Sequence, residues 1–562
     1  MVRVAAVQYA VGEDVEENLA TALRMIDRAV ADGAELVVLP EFGNHVSWYA
    51  DREHARRFAQ TLDGPFVAAL AAKAAEHAIH LMANCTLLRD DDRVGGSNIL
   101  FGPDGAVLAV SDKQVLMGSE RDHIDTAVDR AGVVDTPLGR LGLYSCMDGV
   151  IFETPRMLAV EGAQVLLNSL NSFALDEASL HVPVRAAENK VWVVAANKVG
   201  PLVPEHSIEK VAAMVGVPVD RLHGAGESQI VAPDGTVVAI APRAGEAVVV
   251  ADIDVALADD KSRPDGTDVI ASRRPELYAA LAGAPVGRQA AGGSSEIRAA
   301  VLSPGAGDDI ARLVAEAIAE GVDLVVLPEL AAHHDGLATA PASPELAPDR
   351  LAALLAGAET LLVTSFLDAS GAHVGAVVSA RGVELVQPQL HRSVRHGDLP
   401  TAAVAGETPI AVHRAPWGRL AVVVGDDALY PESFRLAALA DADVVAAPFT
   451  VAEEHDADLL LLERAAENRL NLAMSSRRHL QHGGGLLVPL SGDFTLWGAW
   501  ENPFMGVISR PDPLPAEAPL EIAVLRPECA MNRMVSRGTD LVDGRPWHLA
   551  GPLVDPSLVG LP

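Results

Sequence analysis

The sequence is poor in cysteine, lysine and aromatic residues, and its acidic residues far outnumber its basic ones. Three cysteines among 562 residues cannot build a disulfide framework and leave at least one thiol free. With 43 Lys and Arg against 76 Asp and Glu, the formal net charge is −33. Such a chain has no positive field for nucleic acid or for anionic lipid, so we expect neither a nucleic-acid partner nor a membrane partner.

The sequence also lacks long apolar segments. No run approaches the roughly 18–20 apolar residues that cross a bilayer, and acidic residues follow the first strand pattern at once, unlike a secretory signal peptide. We therefore predict a cytoplasmic protein. Apolar residues nevertheless make up 49% of the composition, which is enough for a sizeable buried core, and the length suits two domains.

Alternating strand and helix patterns open the chain. A strand pattern over Val2–Gln8 is followed by apolar residues at helical spacing over Val15–Ala31. A buried strand at 36–39 comes next and ends at Pro40 and Glu41. The order strand, helix, strand indicates an α/β layer fold.

The second part of the chain repeats the first. The sequence Gly-Arg-Leu at 139–141 returns at 418–420, and Arg-Ala-Ala-Glu-Asn at 185–189 returns at 464–468, each 279 residues later. Several matches at one fixed offset are very rare by chance. They indicate a tandem duplication.

The duplication divides the chain into two domains joined by a linker. We place the first domain at 1–282 and the second domain, with a C-terminal tail, at 296–562. Residues 283–295 between them are rich in Gly, Ala and Ser. That composition is typical of a flexible linker.

Three chemically reactive residues of the first domain follow predicted strands. Glu41 ends one strand, Lys113 follows a second, and Cys146 lies between a third strand and a helical segment. Ligands bind at the carboxyl ends of strands in open α/β folds, and backbone N–H groups at a strand-to-helix turn stabilise a thiolate. Taken singly, each residue also fits an ordinary role, as a solvated turn carboxylate, a surface lysine or a core thiol. No His-rich or Cys-rich spacing indicates a metal site.

Together with their neighbours, these residues resemble the nitrilase (carbon–nitrogen hydrolase) superfamily. The resemblance covers about residues 2–280, where the order and spacing of all the motifs agree. The motifs are Val-Val-Leu-Pro-Glu at 37–41, Asp-Lys at 112–113, Ser-Cys-Met-Asp at 145–148, Phe-Glu at 152–153, Glu-Gly-Ala at 161–163, Val-Leu-Leu-Asn at 165–168, Arg-Ala-Ala-Glu-Asn at 185–189, Val-Val-Ala-Ala-Asn at 193–197 and Gly-Glu-Ser at 226–228. The resemblance implies an αββα sandwich and an activity that needs no cofactor.

The resemblance also implies roles for single residues. The family's Glu-Lys-Cys triad maps onto Glu41, Lys113 and Cys146, and a further glutamate that many members carry after the lysine maps onto Glu120. By this mapping Glu41 takes the thiol proton and later activates water. Lys113 and the backbone N–H of Met147 stabilise the oxyanion. These four side chains are the catalytic candidates.

The substrate pocket is only weakly encoded. We expect Phe42, Met147 and Asn171 to line it. The Asp-Gly pair at 148–149 stands where nitrilases proper tend to have Trp-Glu, which favours an amide over a nitrile. Residues 201–223 form an insertion relative to the usual family loop, and we expect either a surface helix or a wall or lid of the pocket.

The second domain resembles the fold without the triad. At the fixed offset Cys146 aligns with Gly425, so the nucleophile is missing. Glu329 ends the repeated strand as Glu41 ends the first, but no lysine follows Lys261 anywhere in the chain. The second domain is therefore predicted to be degenerate.

We expect this degenerate domain to be a structural partner of the first. Members of the family pair through the helices beside the cysteine, so the helix at 152–162 would face its counterpart at 431–441 in an internal pseudo-dimer. Two independent domains on a flexible linker are the alternative. A regulatory ligand in the second domain and further homo-oligomers stay open.

These observations predict an enzyme with a small-molecule amide substrate. The favoured function is cysteine-dependent hydrolysis of the C–N bond in a small amide or carbamoyl compound through a thioester. A nitrilase, or an acyltransferase that uses the same thioester, is the alternative among enzymes. A non-catalytic scaffold would require that the first domain be inactive too.

Overall fold

The computed structural model describes residues 1–404, 408–478, 483–496 and 498–559. Among these residues the strands form four six-stranded sheets and one two-stranded sheet. None of the helices in the described part of the chain has the length and apolar character that a bilayer crossing requires.

The first half of the chain contains two sheets packed face to face. Val4 and Ala6 share a core with the second sheet, whereas Ala5 and Val7, on the opposite face of the same strand, pack against outer helices. In spatial order the first sheet contains Ala247–Ile253, Val2–Gln8, Leu36–Val38, His80–Leu88, Val94–Phe101 and Val107–Asp112, and the second contains Val237–Ile240, Gln229–Val231, Trp192–Ala196, Val165–Ser169, Gly139–Ser145 and Val134–Thr136.

Helices cover the outer faces of both sheets. The helix Val15–Ala31 begins at Asp14, whose carboxylate accepts hydrogen bonds from the backbone N–H groups of Glu16 and Glu17. The layers therefore run helix, sheet, sheet, helix. The helices of this half are Val15–Ala31, Arg52–Phe58, Pro65–His77, Met147–Val150, Glu153–Val160, Val182–Asn189 and Ile208–Val215.

The second half repeats this architecture, which confirms the prediction of two αββα sandwiches in tandem. Its helices are Ile310–Ala319, Pro348–Leu354, Pro431–Leu439, Leu461–Asn468 and Gly551–Val554. One sheet contains Gly382–Pro388, His373–Ser379, Leu361–Leu367, Leu324–Val326, Ile297–Leu302 and Leu520–Leu525. The other contains Val412–Ala415, Gly418–Val422, Val444–Pro448, Asn471–Ser475, Leu486–Val488 and Leu514–Pro515, and the two-stranded sheet pairs Met534–Ser536 with Thr539–Asp540.

The two halves contact each other through reciprocal buried ion pairs. Arg156 lies 3.0 Å from Glu432, and Arg435 lies 2.8 Å from Glu153, with all four side chains fully buried. Each pair is the other shifted by the repeat offset, so the contact has the self-complementary form that a two-fold axis produces. A second exchange of the same form pairs Arg185 with Glu467 and Arg464 with Glu188.

The linker lies along the second half. Arg288 forms an ion pair with Asp443. The backbone N–H groups of Gln289 and Ala290 donate to Asp441 at 2.9 and 2.8 Å. Although the composition of this segment favours flexibility, these contacts fix its course.

Candidate active site

Glu41, Lys113 and Glu120 form a continuous chain of charges. Lys113 Nζ lies 2.9 Å from Glu41 Oε1 and 2.8 Å from Glu120 Oε1, and the side chains of Glu41 and Lys113 are fully buried. Glu41 comes shortly after the strand Leu36–Val38, and Lys113 comes directly after Val107–Asp112. Because the two strands belong to one sheet, the sheet fixes the separation of these groups.

Cys146 lies at a strained turn between the strand Gly139–Ser145 and the helix Met147–Val150. Its φ of 47° and ψ of −110° are unfavourable for a residue with a side chain. The turn is held by its backbone N–H, which donates to Ser169 O at 3.0 Å and to Asn168 Oδ1 at 3.1 Å. Such strain is often found where a nucleophile must project from the end of a sheet.

Burial and neighbouring charges set the protonation of the site. Burial raises the pKa of Glu41 to about 7, against the opposing effect of Lys113. Burial and then Glu41 raise the pKa of the Cys146 thiol well above its ordinary value. Burial alone would lower the pKa of Lys113, but the Glu120 and Glu41 carboxylates raise it well above its ordinary value. At neutral pH the site therefore holds a charged lysine, a protonated thiol and a carboxyl group that exchanges a proton readily.

A cavity of about 150 Å³ lies beside Cys146. Three other residues singled out in the sequence, Glu120, Met147 and Asn171, also line this cavity. The Asn171 side-chain amide donates to Ser47 Oγ at 2.7 Å, which fixes its orientation. The thiol and these polar groups thus face a common space.

Phe42 does not line this cavity, contrary to our expectation. Its ring packs in an apolar cluster with Val94, Leu116 and Ile124. Its centroid lies 5.6 Å from Lys113 Nζ, within the range of a cation–π contact. Burying a large apolar ring is favourable. The ring of Phe42 therefore packs beside the Lys113 ammonium and does not contact the cavity.

Lys198 is a second buried lysine at the site, and it is not among the site residues predicted from the sequence. In the described part of the chain its Nζ has no hydrogen-bond partner, and the side chain is buried. Burial lowers its pKa to about 7, while Glu41 and Cys146 oppose this shift. Its position directly after the Asn197 motif, beyond the strand Trp192–Ala196, was the available signal.

Asp148 holds the loop that carries Lys113. Its Oδ1 accepts hydrogen bonds from the backbone N–H groups of Gln114 and Val115 at 2.9 and 2.8 Å. Burial raises the pKa of this carboxyl to about 7. Asp148 therefore ties the segment after the lysine to the turn of the cysteine.

The corresponding place in the second half is closed. Gly425 has a φ of 53°, close to that of Cys146. A Cβ at Gly425 would overlap Glu329 Oε1, so no side chain fits there without a shift. Glu329 itself pairs with Arg395 at 3.0 Å, as Glu41 pairs with its lysine.

Three side chains in this closed place are of types that bind metals. Glu329, His373 and His396 bring ligand atoms within 4.8 Å of one another. Both oxygens of Glu329 are already engaged, however, since Oε1 accepts from His396 at 3.0 Å and Oε2 accepts from Thr450 at 2.6 Å and Arg395 at 3.0 Å. The guanidinium charge opposes a second cation, and we assign no metal to this cluster.

The first half of the chain is similar in sequence to known proteins. The carbon–nitrogen hydrolase family profile matches residues 3–262. A nitrilase of Pyrococcus abyssi is 29% identical over 264 residues, which is 47% of this chain and 93% of that protein. The human omega-amidase NIT2 is 27% identical and covers 49% of this chain and 96% of its own length. An N-carbamoylputrescine amidase of Solanum tuberosum is 26% identical and covers 50% and 95%.

Solved structures align with about half of the chain. An amidase from Nesterenkonia sp. is 22% identical, with a TM-score of 0.38, over 46% of this chain and 92% of its own. The C. elegans NitFhit protein is 24% identical, with a TM-score of 0.39, over 46% and 62%. By the match to the family profile, the chain contains a carbon–nitrogen hydrolase domain. It is an enzyme of the carbon–nitrogen hydrolase class, and the matching domain lies wholly within the first half.

Proposed function

We propose that this protein hydrolyses the C–N bond of a small amide or carbamoyl compound through a thioester on Cys146. The observation that carries the proposal is the buried pair of Lys113 and Glu41, at 2.9 Å, in electrostatic contact with a protonated thiol that lines a cavity. This arrangement supports the presence of a base, a cation and a nucleophile in one site.

In the first step Sγ of Cys146 attacks the carbonyl carbon while Glu41 takes the thiol proton. A base is needed because the pKa of this thiol is well above its ordinary value, and a carboxyl with a pKa of about 7 accepts and returns protons near neutral pH. The oxyanion is stabilised by the Lys113 ammonium and by the N–H of Met147. Met147 begins a helix, and the N–H groups of a first helical turn have no acceptor within their own helix. The C–N bond then breaks, Glu41 gives its proton to the leaving nitrogen, and a thioester forms.

In the second step water hydrolyses the thioester. Glu41 takes a proton from the water as its oxygen attacks the carbonyl carbon, and the C–S bond breaks with return of that proton to the sulfur of Cys146. Glu120 is a positioning residue in this scheme. One of its oxygens accepts from Lys113 at 2.8 Å and the other from the Met117 N–H at 2.7 Å, so it holds the ammonium in place.

A substrate panel tests the proposal on the full-length protein. Primary amides, carbamoyl amines and nitriles are each incubated with enzyme, and acid and ammonia are measured. We expect acid and ammonia from amides or carbamoyl amines, loss of turnover in Cys146→Ala, and retention in the control variants Cys85→Ala and Cys529→Ala. Turnover of nitriles alone would favour a nitrilase, and transfer to an added amine would favour an acyltransferase. An acyl adduct on any residue other than Cys146 would contradict the mechanism.

A further inference from the structure

The cavity beside Cys146 has walls from both halves of the chain. Three apolar side chains of the degenerate half line it: Leu496, Ile508 and Val535. They lie more than 340 residues beyond the thiol in sequence. The half without a nucleophile thus forms part of the substrate space of the other half.

Hydrogen bonds hold the wall formed by Leu496, Ile508 and Val535 in place. The Leu496 N–H donates to Val535 O at 3.0 Å, which joins two of its segments. Asp176 of the first half accepts from the N–H groups of Ile508 and Ser509 at 3.1 and 2.7 Å. The wall is therefore fixed both internally and against the catalytic half.

The insertion at 201–223 lines the same cavity. Its helix Ile208–Val215 places Val211 and Val215 in the cavity lining, and both belong to an apolar cluster that also contains Leu496. The expectation of a pocket wall, and not that of a separate surface helix, agrees with this position. Apolar residues from two distant segments thus close over the same space.

Several charged groups in the cavity lining already have partners within the protein: Glu120 contacts Lys113, and His181 lies 3.6 Å from Asp176 and 2.9 Å from Glu463. Among the described lining residues there is no lysine or arginine, and the ring nitrogens of His181 contact Glu463 and Ser509 at 2.9 Å each. Burial raises the pKa of Glu177 to about 7, which weakens it as a partner for a cation. A charged substrate tail would lose its water here without gaining a full counter-charge.

We propose that the degenerate half and the insertion together form an acyl pocket that selects amides with an uncharged, apolar substituent on the carbonyl carbon. This inference rests on the proposed function and names its substrate class. A cavity of about 150 Å³ is of the size that holds a benzene ring. Short aliphatic and phenyl-bearing amides therefore fit, and longer ones do not.

The test is a chain-length series on the full-length enzyme. We expect kcat/KM to rise about four-fold with each methylene from acetamide to hexanamide and to fall for decanamide. Succinamate, which carries a terminal carboxylate, should be at least about 30-fold poorer than pentanamide. N-carbamoylputrescine, with its terminal ammonium, should be poorer than N-carbamoylbutylamine by a similar factor.

Variants in the wall make the test specific. Val535→Ala should move the optimum to longer amides and Val535→Leu to shorter ones. The matched control, Val524→Ala, changes a valine of the same half that is 40% exposed, and it should leave the optimum in place. The inference would be overturned by a kcat/KM that does not change with chain length or by a preference for charged tails. Identical optimal chain lengths in the Val535 and Val524 variants would overturn it too.

A binding measurement separates the two proposals. Calorimetry with Cys146→Ala and hexanamide, pentanamide or succinamate reports on the pocket without turnover. Binding of the neutral amides but not of succinamate supports the acyl pocket even if the hydrolytic scheme fails. If the wild-type enzyme hydrolyses amides but the variant binds hexanamide, pentanamide and succinamate equally well, the acyl-pocket proposal is contradicted and the hydrolytic proposal is not.

Discussion

The change Glu432→Gln tests whether the buried ion pairs hold the halves together. The Glu432 carboxylate lies 3.0 Å from Arg156 of the first half and 2.9 Å from Arg273, and all three side chains are at most 2% exposed. Glutamine keeps the shape of the side chain but removes its charge. Two guanidinium groups then share an uncharged partner in a buried place.

Two independent arguments give the magnitude. Burial opposes the ionised form of Glu432, yet Arg156 and Arg273 lower its pKa from 4.5 to about 2. Because the folded-state pKa is depressed, this stabilisation is present above about pH 4.5, amounts to about 3 kcal/mol at neutral pH, and is lost as the pH falls toward 2. Removal of one partner of a buried pair generally costs about 3–5 kcal/mol. We therefore expect a loss of about 3 kcal/mol in the free energy of unfolding.

Urea denaturation at neutral pH measures this loss. The control is Glu246→Gln, which breaks the exposed pair of Glu246 with Arg24 at 2.7 Å and should cost less than about 1 kcal/mol. The two variants should differ less in their free energy of unfolding when the experiment is repeated near pH 3. Much of the stabilisation by the buried Glu432 carboxylate is lost at that pH. A loss for Glu432→Gln no larger than that of the control would refute the reasoning.

Further predictions concern the active site at Cys146 and the corresponding place at Gly425. Lys113→Ala should lower kcat by at least about 100-fold with an unchanged circular dichroism spectrum, because the oxyanion loses its cation; near-normal kcat would remove the lysine from the mechanism. Burial raises the pKa of Glu41 to about 7, and only the ionised carboxylate accepts the thiol proton. The value of kcat/KM should therefore fall about tenfold per pH unit below about pH 7, and a profile that is flat down to about pH 5 would exclude Glu41 as the base. Gly425→Cys in a Cys146→Ala background should stay inactive and unfold at lower urea, since a side chain there overlaps Glu329; recovered turnover would show that the second site is complete.

The fold and the charged centre could be predicted because their signals are local. A buried strand followed by Pro-Glu, or a strand followed by Asp-Lys, marks a sheet edge within a few residues. Because the motifs repeat at a fixed offset, the same architecture could be predicted for the second half. The predicted helix at 152–162 is observed as Glu153–Val160, a difference confined to its ends.

The pocket could not be predicted because its parts are distant in sequence. Leu496 and Val535 lie in segments without a local pattern that points to Cys146, and only the packing of the halves brings them to it. Phe42 was wrongly predicted to line the pocket. It follows Glu41 directly in sequence, but its ring does not reach the cavity. Lys198 was missed because a single lysine after a strand is usually a surface charge.

The fusion of the two halves has a consequence for how such a protein diverges. In an assembly of two identical subunits, one gene change appears at both symmetry-related positions, so a loop adapted to close one pocket must also be tolerated at the other. Here Gly425 and the segments carrying Leu496 and Val535 belong to only one copy. The reciprocal ion pairs keep the old symmetry at the interface, while mutation is free to act on each copy separately. A single active centre can thus acquire a wall that a symmetric ancestor would have had to build twice.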